Sequence, residues 1–139
     1  VTDRLYYTNS YHVHVCEEID AFSKLKFESQ FHSISSGGCI SYIEVPDMNK
    51  NVEAVEEIIN FIYHNIQYAE INTKSDVCFK CGFNGEMQLD KESLTWHCPS
   101  CGNDDESELQ VMRRTCGYIG SSYWNKGRTA EIGDRVLHL

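Results

Sequence analysis

The chain has 139 residues, 41% of them apolar, enough for one modest domain with a real core. The formal net charge is −9 and the pI about 5.0, so the surface repels phosphate backbones and nucleic-acid binding is disfavoured unless basic residues cluster. No stretch approaches the roughly 18 apolar residues of a membrane span, and seven cysteines, an odd number that includes C-x-x-C pairs, argue for a reducing compartment and a metal site over a secreted disulfide scaffold.

Position 1 is valine, which marks a processed chain or a piece of a longer one, and no signal peptide is visible. Residues 1–45 read as strands and loops. Tyr6, Tyr7 and Thr8 are β-formers, and Tyr11-His12-Val13-His14-Val15 alternates as a strand does. Between them, Thr8, Asn9 and Ser10 cluster small donors after a strand. That pattern suits a phosphate-binding loop or a turn with local side-chain bonds, and both readings stay open. His12 and His14 would share one strand face, where packing or hydrogen bonding outweighs a second metal site. His32, His64 and His138 carry no separate signal. Gly37-Gly38 marks a tight turn, followed by a strand over residues 39–45 that Pro46 stops.

Residues 51–68 form a helix. Val52, Val55, Ile58, Ile59, Ile62 and Ile66 recur at helical spacing and are read as core. Glu53, Glu56 and Glu57 lie in its first half, where the dipole favours negative charge, and Asn49 or Asn51 caps it.

From residue 71 to 103 the apolar periodicity gives way to two cysteine pairs. Cys78 and Cys81, then Cys98 and Cys101, are separated by sixteen residues, and each pair precedes a glycine, Gly82 or Gly102, that lets a tight turn close. Four thiolates so spaced fit a closed, tetrahedral, structural zinc site with the 87–96 segment as a small β-hairpin, a zinc ribbon. His97 adjoins Cys98 but would be a fifth ligand. A ribbon alone would suggest a nucleic-acid module. Arg113, Arg114, Lys126, Arg128 and Arg135 do gather late in the chain, but the ribbon lacks interleaved basic and aromatic residues.

Residues 105–139 hold the run Arg114-Thr115-Cys116-Gly117-Tyr118-Ile119-Gly120, then a polar, Gly-rich tail. Gly117 has two readings. One is a turn glycine that needs positive φ. The other is a radical site: a glycine α-carbon hosts an unpaired electron well, because the planar centre is shared between amide and carbonyl and no Cβ crowds it.

This run resembles the glycyl-radical motif of the class III, anaerobic ribonucleotide reductases, and a four-cysteine ribbon shortly before it is that family's arrangement. Tyr6-Tyr7-Thr8-Asn9-Ser10-Tyr11-His12-Val13 and Gly38-Cys39-Ile40-Ser41-Tyr42-Ile43-Glu44 also resemble family segments, so the likeness covers essentially the whole chain. It implies an α/β fold: the C-terminal portion of a ten-stranded α/β barrel over residues 1–70, a zinc ribbon over 71–104, and a glycyl-radical loop with C-terminal tail over 105–139.

The same resemblance implies the chemistry. An activase with an iron–sulfur cluster and S-adenosylmethionine abstracts a hydrogen from Gly117. The glycyl radical generates a thiyl radical on a barrel cysteine that this chain lacks. The thiyl takes the 3′ hydrogen of a ribonucleoside triphosphate, the 2′ hydroxyl leaves as water, and formate is the reductant. Thr8, Asn9 and Ser10 become substrate-binding candidates, while Cys116 and Cys39 are read as structural small residues. A metal-closed ribbon can move as one body, so it is read as a handle for the radical loop. The implied partners are the N-terminal barrel portion and the activase, in a cytoplasmic homodimer (host cytoplasm if viral) that supplies deoxyribonucleotides for DNA replication. Two rivals remain: an autonomous glycyl-radical repair protein, which would not carry this ribbon, and a zinc-ribbon interaction module without a radical.

Overall fold

A computed structural model describes residues 3–8, 10–115, 118–121 and 124–139. They form two compact units, one of Thr8–Thr73 with Arg135–Leu139, the other of Val1–Tyr7 with Lys74–Asp134.

The first unit is a β-α-β element with an added helix: α1 (Ala21–His32), β1 (Ser41–Glu44), α2 (Val52–Asn65) and β2 (Ala69–Asn72). β1 and β2 pair in parallel, Ser41 opposite Ala69 through Glu44 opposite Asn72. Parallel neighbours need a crossover, and α2 supplies it. Asn51 caps α2 by accepting from the Ala54 N–H at 3.4 Å. The core is Ala21, Leu25, Ile43, Val45, Ile58 and Ile66. Fully buried side chains such as Leu25 and Ile43 contribute about 1.5–3 kcal/mol each.

Three expectations need correction here. Helix α1 was not foreseen, because its inward face carries charge. Ala21, Lys24, Leu25, Glu28 and His32 are buried at helical spacing, while Phe22 and Phe27 face outward. Lys24 Nζ lies 2.6 Å from Glu28 Oε1 and 2.7 Å from the Tyr42 carbonyl, so the two buried charges are paired. Burial pushes the Glu28 carboxyl up, but His12 and Lys24 outweigh it and hold its pKa down at about 2.

Second, the strands expected around residues 6–8 and 11–15 are absent: among the described residues no strand precedes Ser41. The backbone there is held by side chains of α1 in place of a ladder. Glu28 accepts from the Val13 N–H at 3.2 Å, and Tyr11 stacks on Phe31 at 5.2 Å. His12 and His14 therefore have separate partners: His12 Nδ1 is 3.5 Å from Glu28, and His14 Nδ1 is 2.5 Å from Thr8 Oγ1. Third, the α2 stripe is only partly core. Ile58 and Ile66 are buried and Ile62 packs on them, but Val52 is 68% and Ile59 53% exposed. Ile59 sits about 100° round the helix from Ile58, on a face that nothing described covers.

The chain end returns to this unit. Val136 N–H donates to the Val15 carbonyl at 2.9 Å, His138 N–H to the Glu44 carbonyl at 2.8 Å, and Arg135 reaches Glu44 Oε1 at 2.9 Å. His138 Nδ1 accepts from the Glu44 N–H at 2.8 Å, which needs the neutral ring. Burial moves its pKa from 6.5 down to about 4. A folded pKa below the unfolded one means that the unfolded chain takes the proton more readily. This stability is complete above about 6.5 and is lost as pH falls towards 4. Hydrogen exchange of the Glu44 amide, corrected for intrinsic rate, should lose protection over that window, by up to on the order of a hundredfold. Protection that does not change with pH would contradict this.

The second unit is small and sheet-rich: β3 (Asp76–Cys78), β4 (Asn84–Gly85), β5 (Gln88–Asp90), β6 (Thr95–His97), a 3-10 turn (Glu106–Glu108), β7 (Leu109–Gln110), β8 (Met112–Thr115), β9 (Tyr118–Ser121) and α3 (Lys126–Gly133). β4-β3-β7 form one antiparallel sheet, with β5-β6 and β8-β9 as separate pairs. The expected hairpin within the ribbon is β5-β6. The tail, expected to be merely polar, holds α3, capped by Asn125 Oδ1 accepting from the Arg128 N–H at 2.9 Å. A helix of 8 residues with two glycines leaves little periodic signal. Gly127 is there for space: a Cβ would lie 2.7 Å from the Leu5 carbonyl oxygen. Arg4, Tyr6 and Lys91 close on Asp134 at 2.8–2.9 Å, tying residues 4–6 and the ribbon to the end of α3.

Candidate metal centre and the strand pair beside it

Each cysteine pair sits in the same turn. Gly82 N–H donates to the Cys78 carbonyl at 2.9 Å and Cys78 N–H to the Phe83 carbonyl at 2.9 Å; Gly102 and Cys98 repeat this with Asn103 at 2.8 Å. Gly82 has φ +74° and Gly102 φ +70°, left-handed values that a Cβ would strain. Sequence spacing alone foretold these turns.

The turns bring four sulfurs together, all within 4.8 Å of one another. Cys78 to Cys101 is 3.8 Å and Cys81 to Cys98 is 3.7 Å. Disulfides would need about 2.05 Å. A tetrahedron of sulfurs about 2.3 Å from a central zinc has edges of about 3.8 Å, so the donors fit a metal such as zinc. The electrostatics agree. Burial raises the Cys78 thiol, but backbone N–H groups of Cys81 and Lys80 hold it down at about 7. The Asn103 N–H pulls Cys101 down, yet burial and the three neighbouring sulfurs drive it up to about 12. Four sulfurs this close cannot all ionise without a cation among them.

The cluster belongs to the core. Cys78 and Cys98 are buried with Met87, Trp96, Leu109, Val111 and Ile132, while Cys81 and Cys101 face solvent. His97 pairs with Gln88 Oε1 at 3.1 Å. Asn103, which carried no signal in the sequence, is buried and points its Nδ2 at Cys78 Sγ, 3.9 Å away.

β8 and β9 run antiparallel, Arg113 opposite Gly120 and Thr115 opposite Tyr118. Cys116 and Gly117, which fall between them in the sequence, lie outside the described residues, as does Asn9. On β8, Arg113 and Thr115 are buried and Met112 is exposed, the alternation of a half-covered strand. Arg113 was grouped in the sequence with a late basic cluster, but it forms a fork with buried Asp76, Nη2 to Oδ2 at 2.8 Å and Nη1 to Oδ1. Arg128 meets Glu131 at 3.1 Å and Arg135 meets Glu44, so three of these arginines are answered by carboxylates, and a nucleic-acid face loses its footing.

Of the phosphate-loop candidates, Thr8 bonds His14 and Ser10 is exposed with φ +52°. Ser10, Tyr11, His12, His14, Phe27 and Phe31 help line a cavity of about 540 Å³. Cys39, read as a structural small residue, is half-buried, its thiol 3.8 Å from the His32 carbonyl.

The family model of anaerobic ribonucleoside-triphosphate reductase matches residues 1–138. The chain belongs to this family. Anaerobic ribonucleoside-triphosphate reductases from Haemophilus influenzae and Escherichia coli are 40% and 39% identical to it over 142 residues, all of this chain and 20% of theirs. That of enterobacteria phage T4 is 39% identical over 141 residues, 99% of this chain and 23% of that reductase. The chain therefore spans about a fifth of the length of these reductases. Among its described residues no helix is long and apolar enough to cross a membrane.

Proposed function

We infer that this chain is the radical-storing portion of an anaerobic ribonucleotide reductase, with the unpaired electron on Gly117. The observation that supports this reading is the β8-β9 pair, whose strands flank Cys116 and Gly117 in the sequence and belong to the same compact unit as the four-sulfur cluster. Cys78, Cys81, Cys98 and Cys101 hold a structural zinc whose closed shell leaves no position for catalysis. The parallel β1-α2-β2 element contributes to a ten-stranded barrel whose remainder carries the thiyl cysteine. Residues 1–70, 71–104 and 105–139 divide the work as barrel piece, zinc ribbon and radical loop.

The full cytoplasmic enzyme, a homodimer, reduces ribonucleoside triphosphates to deoxyribonucleotides with formate as reductant. Thr8, Asn9 and Ser10 cradle the triphosphate. A radical-generating activase with S-adenosylmethionine and an iron–sulfur cluster supplies the hydrogen abstraction. The family match over the whole chain disfavours both a stand-alone repair protein and a radical-free zinc module.

Full-length reductase activated anaerobically by its activase should give an organic-radical electron paramagnetic resonance signal split into a doublet by the single remaining α-hydrogen. In protein grown on α-deuterated glycine the doublet should collapse to a singlet. A signal that the label leaves unchanged, or no signal at all, would rule the reading out.

A further inference from the structure

The fork between Asp76 and Arg113 is a heavily used polar contact of the sheet-rich unit, and zinc chemistry does not require it. Asp76 is 0% and Arg113 4% exposed. Besides both guanidinium nitrogens, the carboxylate accepts the Met87 N–H at 2.9 Å and the Met112 N–H at 3.4 Å. One carboxylate thus ties β3, the segment that enters β5, and the start of β8. The guanidinium carbon also lies 5.7 Å from the centre of the Trp96 ring. Asp76 stands two residues before Cys78 and Trp96 two residues before Cys98. Arg113 is therefore gripped by both arms that lead into the metal centre, four residues before Gly117.

Stability does not explain the device. A buried ion pair contributes little net free energy compared with apolar residues of the same shape, since desolvation offsets the attraction. What it supplies is geometry. Arg113 and the Met112 N–H meet the same carboxylate, so β8 cannot slide. A slip of one residue would move the strand about 3.3 Å and exchange its faces, turning Met112, now 41% exposed, inward and Arg113 outward.

We propose that Asp76 and Arg113 are positioning residues for Gly117: the pair transmits the fixed frame of the four-cysteine centre to β8 and so sets where the radical glycine is presented. This rests on the radical reading above. Displacement of a reacting group by about 1 Å can cost on the order of a hundredfold in rate, so loss of the fork should be felt at Gly117 even where the ribbon stays folded.

The test uses full-length reductase with its activase and two variants. In the double variant Asp76→Leu/Arg113→Met, apolar side chains replace the pair without leaving a lone buried charge. In Arg113→Lys the charge is kept and the fork lost. Zinc per chain, thermal unfolding and radical per chain are measured together. The double variant should keep its zinc, with a modest drop in unfolding temperature from the Met87 and Met112 N–H groups that lose their acceptor, while radical yield falls by about ten- to a hundredfold, with Arg113→Lys intermediate. Wild-type radical yield in the double variant with zinc intact would overturn the proposal. So would a loss of zinc and radical in strict proportion in both variants, the mark of a purely structural role. Wild-type enzyme in the same experiment reports separately on the radical reading: a missing wild-type signal counts against Gly117, and a loss confined to the variants concerns the pair.

Discussion

Replacing Cys98 with serine in the full-length reductase should strip the metal and abolish the glycyl radical together. The size of the effect follows from where the sulfur sits. Cys98 is at once a donor of the four-sulfur cluster and a core residue packed with Trp96, Met87 and Val111. Structural zinc in small domains contributes an apparent 10–16 kcal/mol or so, more than a domain's usual net stability of about 5–15 kcal/mol. Among the described residues no sheet of this unit exceeds three strands, so the metal carries a large share of the ribbon's closure. Metal analysis should find zinc in the wild type and a large deficit in Cys98→Ser, with radical yield at background. The idea of the ribbon as a handle for the radical loop depends on this coupling. A zinc-free variant that still forms the radical at the normal level would sink it.

Gly117→Ala should separate the radical from the scaffold. Its methyl group crowds the planar geometry that stabilises the α-carbon radical, while all four cysteines of the cluster are kept. Zinc should stay at wild-type level while the radical signal vanishes. Turnover of ribonucleoside triphosphate should fall by the bulk of the catalytic factor, at least about 10⁶-fold for an ordinary enzyme. Were Gly117 only a turn glycine, the substitution would cost a few kcal/mol of local strain at most and leave turnover measurable.

What the sequence revealed and what it hid divide by range. The two cysteine turns, their left-handed glycines and the β5-β6 hairpin were legible, because each is encoded by neighbours a few residues apart. Helix α2 was legible for the same reason, with Asn51 one of two cap candidates, although the helix stops at Asn65, short of the expected 68. Helix α1 was not, since Lys24, Glu28 and His32 occupy inward positions where a pattern search expects apolar residues. Nor was the Asp76–Arg113 fork, whose partners stand 37 residues apart and look like ordinary surface charges until the fold buries both. The Thr8 hydroxyl, 2.5 Å from His14 Nδ1, has a partner six residues on that composition does not single out.

The most direct measurement is mass spectrometry of activated full-length reductase after exposure to oxygen. A carbon-centred backbone radical adds oxygen and the chain breaks at that residue. Once the radical signal has been verified, cleavage is expected at Gly117, with release of a C-terminal peptide that begins near Tyr118, and none in Gly117→Ala. An intact chain after verified activation, or a break at any other residue, would contradict the assignment of the radical to Gly117.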